Sequence, residues 1–329
     1  MPTKSRPILA IVIPCLDEEL ALPETSRALS SKLDSLVERG LIDPDSRIYF
    51  VDDGSTDGSW EVIERLVQQN KNTQGIRFQK NFGKSQALHA GFKLAAGDYV
   101  MTMDADLQDS PEEIHPMITT LKEKNLDILS GWKKKRYDSI FFKNIPSKLF
   151  NWAARRVSGI KLHDFNCGIK AYKKEVIKTI DVYGEMHRYI PVIASHRGFD
   201  KIEEQIVQHQ ARQHGKTKFG ADRFVKGFLD LITLWFLNGF GKRPMHFFGF
   251  WGTLMLFTGF CFTIYLGIDK LYLHTQARLI TQRPEFYIAL TTMILGTQLF
   301  IAGFLGEILV RYKKDIKRYI ISKSIKSKA

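Results

Sequence analysis

Short apolar runs alternate with longer amphipathic stretches along the first 130 residues of the chain. The apolar runs are rich in β-branched residues and predict strands at residues 8–13, 47–51, 75–79, 98–103 and 127–130. Between them, apolar residues recur at helical spacing around residues 21–39, 57–70, 84–96 and 111–124. Strands that alternate with helices form a mostly parallel sheet covered by helices on both faces. We therefore predict an α/β domain whose ligands bind beyond the carboxyl ends of the strands.

Two longer apolar segments lie near the C-terminus. Residues 245–268 and 286–306 contain no Asp, Glu, Lys or Arg. At about 1.5 Å per residue, each segment is long enough as a helix to cross a hydrocarbon core of roughly 30 Å. We predict two transmembrane helices, and a buried helical hairpin is the alternative.

An amphipathic segment precedes the first apolar span. Residues 221–241 place Phe224, Phe228 and Trp235 on one side and Asp222 elsewhere. This spacing predicts a helix in the membrane interface, although a core helix of the α/β domain has the same pattern. The predicted domains are residues 1–220 (α/β domain), 221–243 (amphipathic juxtamembrane helix), 244–310 (two transmembrane helices) and 311–329 (basic tail).

Basic residues beside the two spans indicate their orientation. Lys242 and Arg243 precede the first span, and a series of Lys and Arg residues begins at Arg311 after the second. The positive charge of the connecting loop is partly balanced by Asp269 and Glu285. By the positive-inside rule, we expect a multi-pass protein of the inner (cytoplasmic) membrane whose α/β domain and both termini are cytoplasmic.

The chain carries a formal charge of +13 and has a pI of about 9.5, which favours an acidic partner. The interleaved aromatic and basic residues typical of RNA binding do not occur, so the lipid bilayer and a phosphorylated substrate are favoured over nucleic acid. A solvated basic surface is the alternative. Cys15, Cys167 and Cys261 form no paired motif, which is typical of a reducing cytoplasm.

The first acidic motif follows the second predicted strand. Asp52 and Asp53 precede Gly54, which allows a tight turn, and the Ser and Thr residues after it can cap the next helix. Two carboxylates exceed what capping requires, and they could accept hydrogen bonds from a nucleobase or a ribose. A solvated turn is the alternative interpretation.

The second acidic motif is the segment DADLQ, which follows the fourth predicted strand. In an extended segment residues i and i+2 point the same way, so Asp104 and Asp106 present two carboxylates on one side. Hard oxygen ligands at a strand end suit Mg²⁺ or Mn²⁺, which commonly bridge carboxylates to substrate phosphates. An ordinary acidic turn is the alternative. A P-loop is excluded, because Phe78 stands where its first glycine is required.

The less regular stretch 132–220 contains further candidate residues. Asp164 lies in a polar segment ahead of a strand-like stretch. Arg212 and Lys218 lie in a cationic loop and could clamp a diphosphate, although a loop that only touches anionic lipid has the same composition. His187 and Arg188 could hold a lipid phosphate, or they could lie at the surface or at the edge of the core.

Together these motifs resemble those of family 2 glycosyltransferases. The resemblance is carried by IPCLDEE, VDDGSTDGS, KNFGK, DADLQD and DFNCG, which begin at Ile13, Val51, Lys80, Asp104 and Asp164. Their order and spacing are similar to those of the polyprenyl-phosphate branch, which includes dolichyl-phosphate mannose synthases and bacterial undecaprenyl-phosphate glucosyltransferases. The resemblance extends over essentially the whole chain and implies a GT-A (Rossmann-like) fold followed by two membrane helices.

The resemblance also implies which residues bind the donor. The residues expected to line the nucleoside pocket are Pro14, Leu16, Glu18 and Asp53. The residues expected to hold Mg²⁺ or Mn²⁺ on the diphosphate are Asp104, Asp106 and Gln108, with Lys84 near the donor. Cys15 departs from the family pattern, since many relatives carry a larger polar or aromatic residue there, and the identity of the base is therefore not inferred from it.

The remaining roles concern the acceptor and the leaving group. By resemblance, Arg212 and Lys218 neutralise the departing pyrophosphate, and Asp164 faces the sugar and the acceptor phosphate. The QxxRW motif of the processive polysaccharide synthases does not occur in the sequence. A phosphate monoester is already largely a dianion at neutral pH, so Asp164 is expected to position the substrate first and to act as a base second.

The implied reaction is an inverting, metal-dependent transfer of a sugar from a nucleotide-sugar to polyprenyl phosphate. UDP-glucose is the favoured donor and undecaprenyl phosphate the favoured acceptor. GDP-mannose and UDP-linked amino sugars are the alternative donors, and an inactive lipid-binding membrane scaffold is an alternative of a different class. Relatives can assemble into tetramers, so the resemblance also implies a homo-oligomer.

Overall fold

A computed structural model describes residues 6–134, 151, 154–156, 158–182, 184, 186–208, 232, 233, 236, 239–241, 243–273, 279–311 and 321–326. These residues form two compact units. One contains the described residues up to Ile232 together with residues 321–326, and the other contains the described residues from Thr233 to Arg311. Arg212, Lys218 and most of the predicted amphipathic helix lie outside the described residues.

A mixed sheet forms the centre of the first unit. The described strands are β1 (Leu9–Cys15), β2 (Arg47–Asp52), β3 (Thr73–Phe78), β4 (Tyr99–Thr102), β5 (Ile128–Trp132), β6 (Lys170–Lys173), β7 (Ile202–Ile206) and β8 (Ile321–Lys326). Their order in the sheet is β7-β5-β6-β4-β1-β2-β3-β8. Strands β4, β1, β2 and β3 are parallel neighbours, whereas β6 and β8 run antiparallel to the strands they pair with.

Helices cover both faces of this sheet. The described helices of the first unit are α1 (Leu22–Glu38), α2 (Ser59–Gln69), α3 (Lys84–Leu94), α4 (Ile114–Glu123), α5 (Lys174–Thr179) and α6 (Ile190–Ser195). Short 3-10 turns at Pro111–Glu113 and Met186–Tyr189 precede α4 and α6. Alternate residues of β1 enter two separate cores, with Ile11 on the side of α1, α2 and α4 and Val12 on the side of α3, α5 and α6. A strand buried on both faces explains the continuous apolar run that predicted β1.

The five strands and four helices predicted for the first 131 residues are confirmed, with ends that differ by at most three residues. Strands β7 and β8 were not predicted. The side chains of β7 are half-buried or exposed, so its sequence lacks the apolar pattern of a central strand. Strand β8 comes from the predicted basic tail and pairs with β3, so β8 is the edge strand on this side of the sheet. Ile325 packs near Gly75, and Lys323 lies 3.7 Å from Glu64.

The second unit contains two long helices, α7 (Pro244–Ile268) and α8 (Pro284–Arg311), and both predicted spans are confirmed as helices long and apolar enough to cross a membrane. Only 17% of the most apolar window of each helix is buried, unlike a core helix of a soluble domain. Gly252 and Gly296 bring the two backbones together, because a Cβ on Gly252 would lie 2.7 Å from the carbonyl oxygen of Gly296. Close approach through small residues is typical of helix pairs in membranes.

Candidate active site

The acidic motifs converge at one edge of the sheet. Parallel strands β2, β1 and β4 are neighbours, and their carboxyl ends carry the three segments that follow them. Strand β6 runs antiparallel to β4 with Lys170 opposite Thr102, so the residues before β6 lie at this same edge. The structure therefore brings the segments around Asp53, Asp104 and Asp164 together, as expected from the sequence.

The loop after β1 is fastened to the loop after β2. The Asp17 carboxylate accepts a hydrogen bond from the backbone N–H of Thr56 (2.8 Å), and Asp17 itself adopts a left-handed φ of 50°. The backbone N–H of Glu18 donates to the hydroxyl of Ser59 (2.9 Å). These bonds fix the backbone of the segment that contains three predicted pocket residues, which remain partly exposed: Pro14, Leu16 and Glu18.

The two adjacent aspartates after β2 have different surroundings. Asp52 is fully buried, accepts the backbone N–H of Ser55 (2.9 Å) and lies 3.4 Å from the Arg77 guanidinium. Asp53 accepts the backbone N–H groups of Phe82 (2.8 Å) and Gly83 (2.9 Å). Burial raises the pKa of Asp53 to about 6, although these two donors oppose the rise. Asp52 thus holds the turn, and Asp53 connects it to the segment that begins α3.

Gly54 and Lys84 complete this part of the site. Gly54 has a φ of 73°, and a Cβ there would overlap the backbone of Lys80, which confirms the predicted tight turn. Lys84 is the first residue of α3, and its ammonium is paired with a carboxylate oxygen of Asp104. The predicted donor-side lysine therefore contacts the predicted metal-binding motif directly.

Positive charge surrounds Asp104. Burial disfavours its ionised form, but Lys84, Lys133 and Lys170 outweigh burial and hold the pKa of the Asp104 carboxyl well below its usual range. Asp104 is therefore a carboxylate at every physiological pH.

The turn after Asp104 is tightly held. The carbonyl oxygen of Ala105 accepts a hydrogen bond from the Thr25 hydroxyl (2.8 Å), and Leu107 adopts a left-handed φ of 57°. The Asp106 carboxylate, of which 8% is exposed, lies 3.3 Å from the backbone N–H of Gln108. A left-handed φ at a leucine costs free energy and persists where surrounding contacts impose it.

The carboxylates of Asp104 and Asp106 suit a divalent cation whose remaining coordination positions are filled by the substrate. The described residues contain no group of three or more His, Cys, Asp or Glu that could hold a metal ion. Mg²⁺ needs only one or two protein carboxylates when substrate phosphates and water fill its other positions. Asp104 and Asp106 supply this number of hard oxygen ligands, and Asp104 is ionised, so the donor set suits Mg²⁺ or Mn²⁺ bound together with a diphosphate.

A buried ion pair was missed in the sequence. Asp109, of which 2% is exposed, lies 2.7 Å from the ammonium of Lys133 at the end of β5. Burial alone would lower the pKa of Lys133, but Asp109 raises it above its ordinary value. This pair ties the DADLQD segment to β5. From the sequence alone, Asp109 cannot be distinguished from Asp106, the predicted metal ligand in the same DADLQD segment.

The loop before β6 lies against the DADLQ motif. Asp164 is buried, and its carboxylate accepts the backbone N–H of Asn166 (3.0 Å). A Cβ on Gly168 would lie 2.5 Å from a carboxylate oxygen of Asp104, so the backbone of this loop touches the predicted metal ligand. Lys170 is buried beneath the loop. Asp164 was predicted from the sequence, Gly168 was included in the DFNCG motif without a role, and Lys170 was missed.

His187 is placed beside the start of α3. Its backbone N–H donates to the Ser85 hydroxyl (2.9 Å), and its Nδ1 lies 3.1 Å from that same oxygen. Burial, with the charges of Lys84 and Arg188, lowers the pKa of His187 well below its ordinary value. A neutral imidazole in this position supports the start of α3 and adds no positive charge to the site.

The family model and the relatives that match this chain all describe sugar-transferring enzymes. The profile of Glycosyl transferase family 2 matches residues 10–181. The chain is 33% identical over 318 residues to dodecaprenyl-phosphate galacturonate synthase of Rhizobium johnstonii, covering 95% of this chain and 91% of that protein. It is 30% identical over 324 residues to undecaprenyl-phosphate 4-deoxy-4-formamido-L-arabinose transferase of Aeromonas hydrophila, covering 97% and 94%.

A solved structure supports the fold assignment. Glucosyl-3-phosphoglycerate synthase from Mycobacterium tuberculosis, solved with Mn²⁺, UDP-glucose and phosphoglyceric acid, superimposes with a TM-score of 0.52 at 17% identity. The match covers 70% of this chain and 79% of that one. At this identity the similarity shows the fold, and it carries no information on the substrate.

Proposed function

Because the chain belongs to glycosyl transferase family 2, and its relatives are polyprenyl-phosphate glycosyltransferases, we propose that it moves a sugar from a UDP-sugar to a polyprenyl phosphate with the help of a divalent cation. The observation that carries this proposal is the convergence of the segments around Asp53, Asp104 and Asp164 at the carboxyl ends of neighbouring strands. The same chain contains two helices suited to a membrane, where a polyprenyl phosphate is held by its tail.

The proposed roles on the donor side follow from the contacts. Pro14, Leu16 and Glu18 line the nucleoside pocket, because their backbone is fixed while their side chains stay partly exposed. Asp53 lies beside them and accepts hydrogen bonds. Lys84, which is paired with Asp104, would contact the donor diphosphate beside the cation.

The proposed roles at the reacting atoms are mainly electrostatic. A bound Mg²⁺ or Mn²⁺ would neutralise charge that develops on the leaving diphosphate. Asp104 and Asp106, with Gln108, would hold it, and Arg212 and Lys218 would add positive charge to the same leaving group. Asp164 would orient the acceptor phosphate for attack at the anomeric carbon with inversion. The acceptor is largely a dianion at neutral pH, so no strong general base is required.

UDP-glucose is our first candidate for the donor, and UDP-galacturonate is the second. The second is favoured by the relative that is a galacturonate synthase.

The test is a transfer assay with the full chain in lipid. Purified protein, undecaprenyl phosphate and Mn²⁺ or Mg²⁺ are combined with radiolabelled UDP-glucose, UDP-galacturonate, UDP-4-deoxy-4-formamido-L-arabinose, UDP-N-acetylglucosamine and GDP-mannose in turn. We expect label to enter the lipid phase from one UDP-sugar and to be lost on chelation. Transfer from GDP-mannose alone would contradict the proposed base, and the absence of both transfer and nucleotide binding would contradict the enzyme assignment.

Asp53 gives a prediction for the pH dependence of donor binding. Its pKa is raised to about 6, so Asp53 is ionised above that pH and gains a proton below it. A protonated carboxyl accepts hydrogen bonds less strongly, and we expect the dissociation constant of the nucleotide-sugar to rise by about tenfold per pH unit below about pH 6. The measurement is equilibrium binding without acceptor, because the acceptor phosphate itself titrates near pH 6.

The matched control for this prediction is Asp53→Asn, which keeps the shape of the side chain and cannot ionise. This variant is expected to bind the donor weakly at pH 7.5 and to show no further change down to pH 5. A variant that keeps the same dependence on pH as the unmodified protein would show that another group is responsible.

We also propose that the α/β domain and both termini lie in the cytoplasm. Strand β8, which follows α8, belongs to the same compact unit as β1–β7, and two crossings return the chain to its original side. The segment between α7 and α8, residues 269–283, contains three Lys and Arg residues, whereas residues 311–329 contain eight, and the positive-inside rule places the side with more Lys and Arg in the cytoplasm. A green fluorescent protein fused after Ala329 should therefore fluoresce, and an active but dark fusion would contradict this topology.

A further inference from the structure

A single buried lysine holds the loop that contains Asp164. Lys170 is the first residue of β6, and only 4% of it is exposed. Its ammonium donates hydrogen bonds to the carbonyl oxygen of Phe165 (3.2 Å) and to that of Cys167. Both acceptors belong to the loop at residues 164–168, so one side chain fastens this loop at two points.

Placing an ammonium in this position is costly, which suggests that the position has a role. Burial lowers the pKa of Lys170, while Cys167 and Asp164 oppose the change. A lysine that is removed from water must gain hydrogen bonds to offset the loss of solvation. A methionine would fill the same volume without that cost, but it could not bind the two carbonyl groups.

The far end of the same loop touches the predicted metal ligand. The carbonyl oxygen of Gly168 accepts a hydrogen bond from the Thr102 hydroxyl (2.8 Å). Thr102 is also the residue of β4 that pairs with Lys170 of β6. The backbone at Gly168 approaches the Asp104 carboxylate so closely that a Cβ there would lie 2.5 Å from Oδ2. Movement of this loop toward Asp104 would therefore displace the carboxylate, and movement away would remove the backbone packed against it.

From this arrangement we infer that Lys170 is a positioning residue that holds the Asp164–Gly168 loop against Asp104 and thereby sets the geometry of the metal–diphosphate site. The inference rests on the proposed function, because it assumes that Asp104 binds the cation. Lys170 acts through the loop and touches no substrate, since its ammonium is buried and directed at backbone carbonyl groups. Residues that orient metal ligands in this way typically change metal affinity or activity by 10- to 100-fold.

The test compares Lys170→Met with the same substitution at Lys178, a second lysine whose ammonium donates to backbone carbonyl oxygens. Lys178 in α5 donates to the carbonyl oxygens of Phe92 (2.7 Å), Lys93 (2.9 Å) and Ala95 (2.9 Å), which lie at the opposite end of α3 from Lys84. Lys178→Met thus removes a lysine from backbone carbonyls without touching the loop. Both variants are prepared as the full chain in lipid, with Lys170→Arg to test whether a donor of the same charge restores function.

Two quantities are measured: direct Mn²⁺ binding in the presence of UDP, from the electron paramagnetic resonance signal of free Mn²⁺, and steady-state transfer. For Lys170→Met we expect Mn²⁺ affinity to fall by about tenfold and kcat by about 100-fold. The donor KM at saturating Mn²⁺ should stay within about twofold, because the nucleoside pocket is not attached to this loop. Lys178→Met should leave all three values unchanged, and Lys170→Arg should recover part of the lost Mn²⁺ affinity.

The outcomes separate this inference from the proposed function. Normal Mn²⁺ binding and kcat in Lys170→Met would overturn the inference and leave the proposed function intact. A lack of Mn²⁺ binding by the unmodified protein would instead contradict the proposed metal site. If Lys170→Met does not fold, Thr102→Val provides the test by removing the hydrogen bond to Gly168, and it should weaken Mn²⁺ binding by about threefold. Unchanged binding in Thr102→Val would overturn the inference as well.

Discussion

Asp106→Asn is expected to lower the rate of sugar transfer by about 1,000-fold while the protein remains folded. Asparagine has the shape of aspartate and can still accept the backbone N–H of Gln108, so the turn is preserved. What is lost is a negatively charged oxygen that would hold the cation on the diphosphate. A 1,000-fold loss corresponds to about 4 kcal/mol of transition-state stabilisation, which is the size of effect expected for an electrostatic contact at a leaving group.

A matched control lies three residues away. Asp109→Asn makes the same chemical change, but Asp109 is paired with the buried ammonium of Lys133. Removing one partner of a buried ion pair leaves the other charge uncompensated, and this is expected to cost about 3 kcal/mol of folding stability. Asp109→Asn should therefore lower the melting temperature clearly, whereas Asp106→Asn should leave it unchanged.

The two variants are compared by thermal unfolding and by transfer activity, with Mn²⁺ and with EDTA. Asp106→Asn should behave like the unmodified protein in the unfolding assay and like the EDTA-treated protein in the transfer assay. Transfer that survives EDTA, or nearly normal activity in Asp106→Asn, would exclude the metal role. A strong loss of stability in Asp106→Asn would show that this carboxylate, like that of Asp109, serves the fold.

The sequence was sufficient to predict the part of the fold that positions these aspartates. Strands β1, β2 and β4 are buried on both faces, so each appears as a continuous apolar run, and each run ends where an acidic motif begins. Since the carboxyl ends of parallel strands share one edge of a sheet, the placement of Asp53 and Asp104 at the same edge followed from the sequence. The spatial order β4-β1-β2, which makes their strands near neighbours, did not.

The antiparallel and edge strands could not be predicted in the same way. Strand β7 reads IEEQI, and its side chains are half-buried or exposed without regular alternation. Strand β8 lies among the lysines and serines of a segment that otherwise resembles a solvated tail. An edge strand buries little apolar surface, and lysines are common there because they discourage further pairing, so the local pattern contains little information.

The division of roles among the acidic residues was also hidden. Asp52 and Asp53 are neighbours in the sequence, yet one is fully buried against Arg77 and the other bonds to the start of α3. The contact between Gly168 and Asp104 joins residues 64 positions apart, and no local pattern specifies such a partner. One signal was available: Lys170 stands between Ile169 and Ala171 in a strand-like stretch, where a charge is unusual.

Gly168→Ala should reduce transfer by about 100-fold, although the change adds a single methyl group. The added Cβ would lie 2.5 Å from Oδ2, 2.6 Å from Cγ and 2.8 Å from Oδ1 of Asp104, and all three distances are shorter than atoms tolerate. The backbone of the loop is held by Thr102 and Lys170, so the Asp104 side chain is the part that must move. A carboxylate displaced in this way can no longer share the cation with Asp106 in the same geometry.

Gly75→Ala provides a clash of the same size away from the site. Its Cβ would lie 2.6 Å from the side chain of Ile63, where α2 packs on β3. Overpacking of a core typically costs about 1–3 kcal/mol of stability, so Gly75→Ala should lower the melting temperature without altering metal dependence. Any loss of activity in this variant should not respond to the concentration of Mn²⁺.

The decisive measurement is therefore the transfer rate as a function of Mn²⁺ concentration for both glycine variants. In Gly168→Ala the half-saturating concentration of Mn²⁺ should rise by about tenfold, because the displaced Asp104 must be drawn back against the methyl group before the cation binds. A high concentration of Mn²⁺ should then recover part of the lost rate in Gly168→Ala. It should recover none in Gly75→Ala. An unchanged Mn²⁺ dependence in Gly168→Ala would mean that the cation does not use Asp104, and the site would have to be reassigned to other residues.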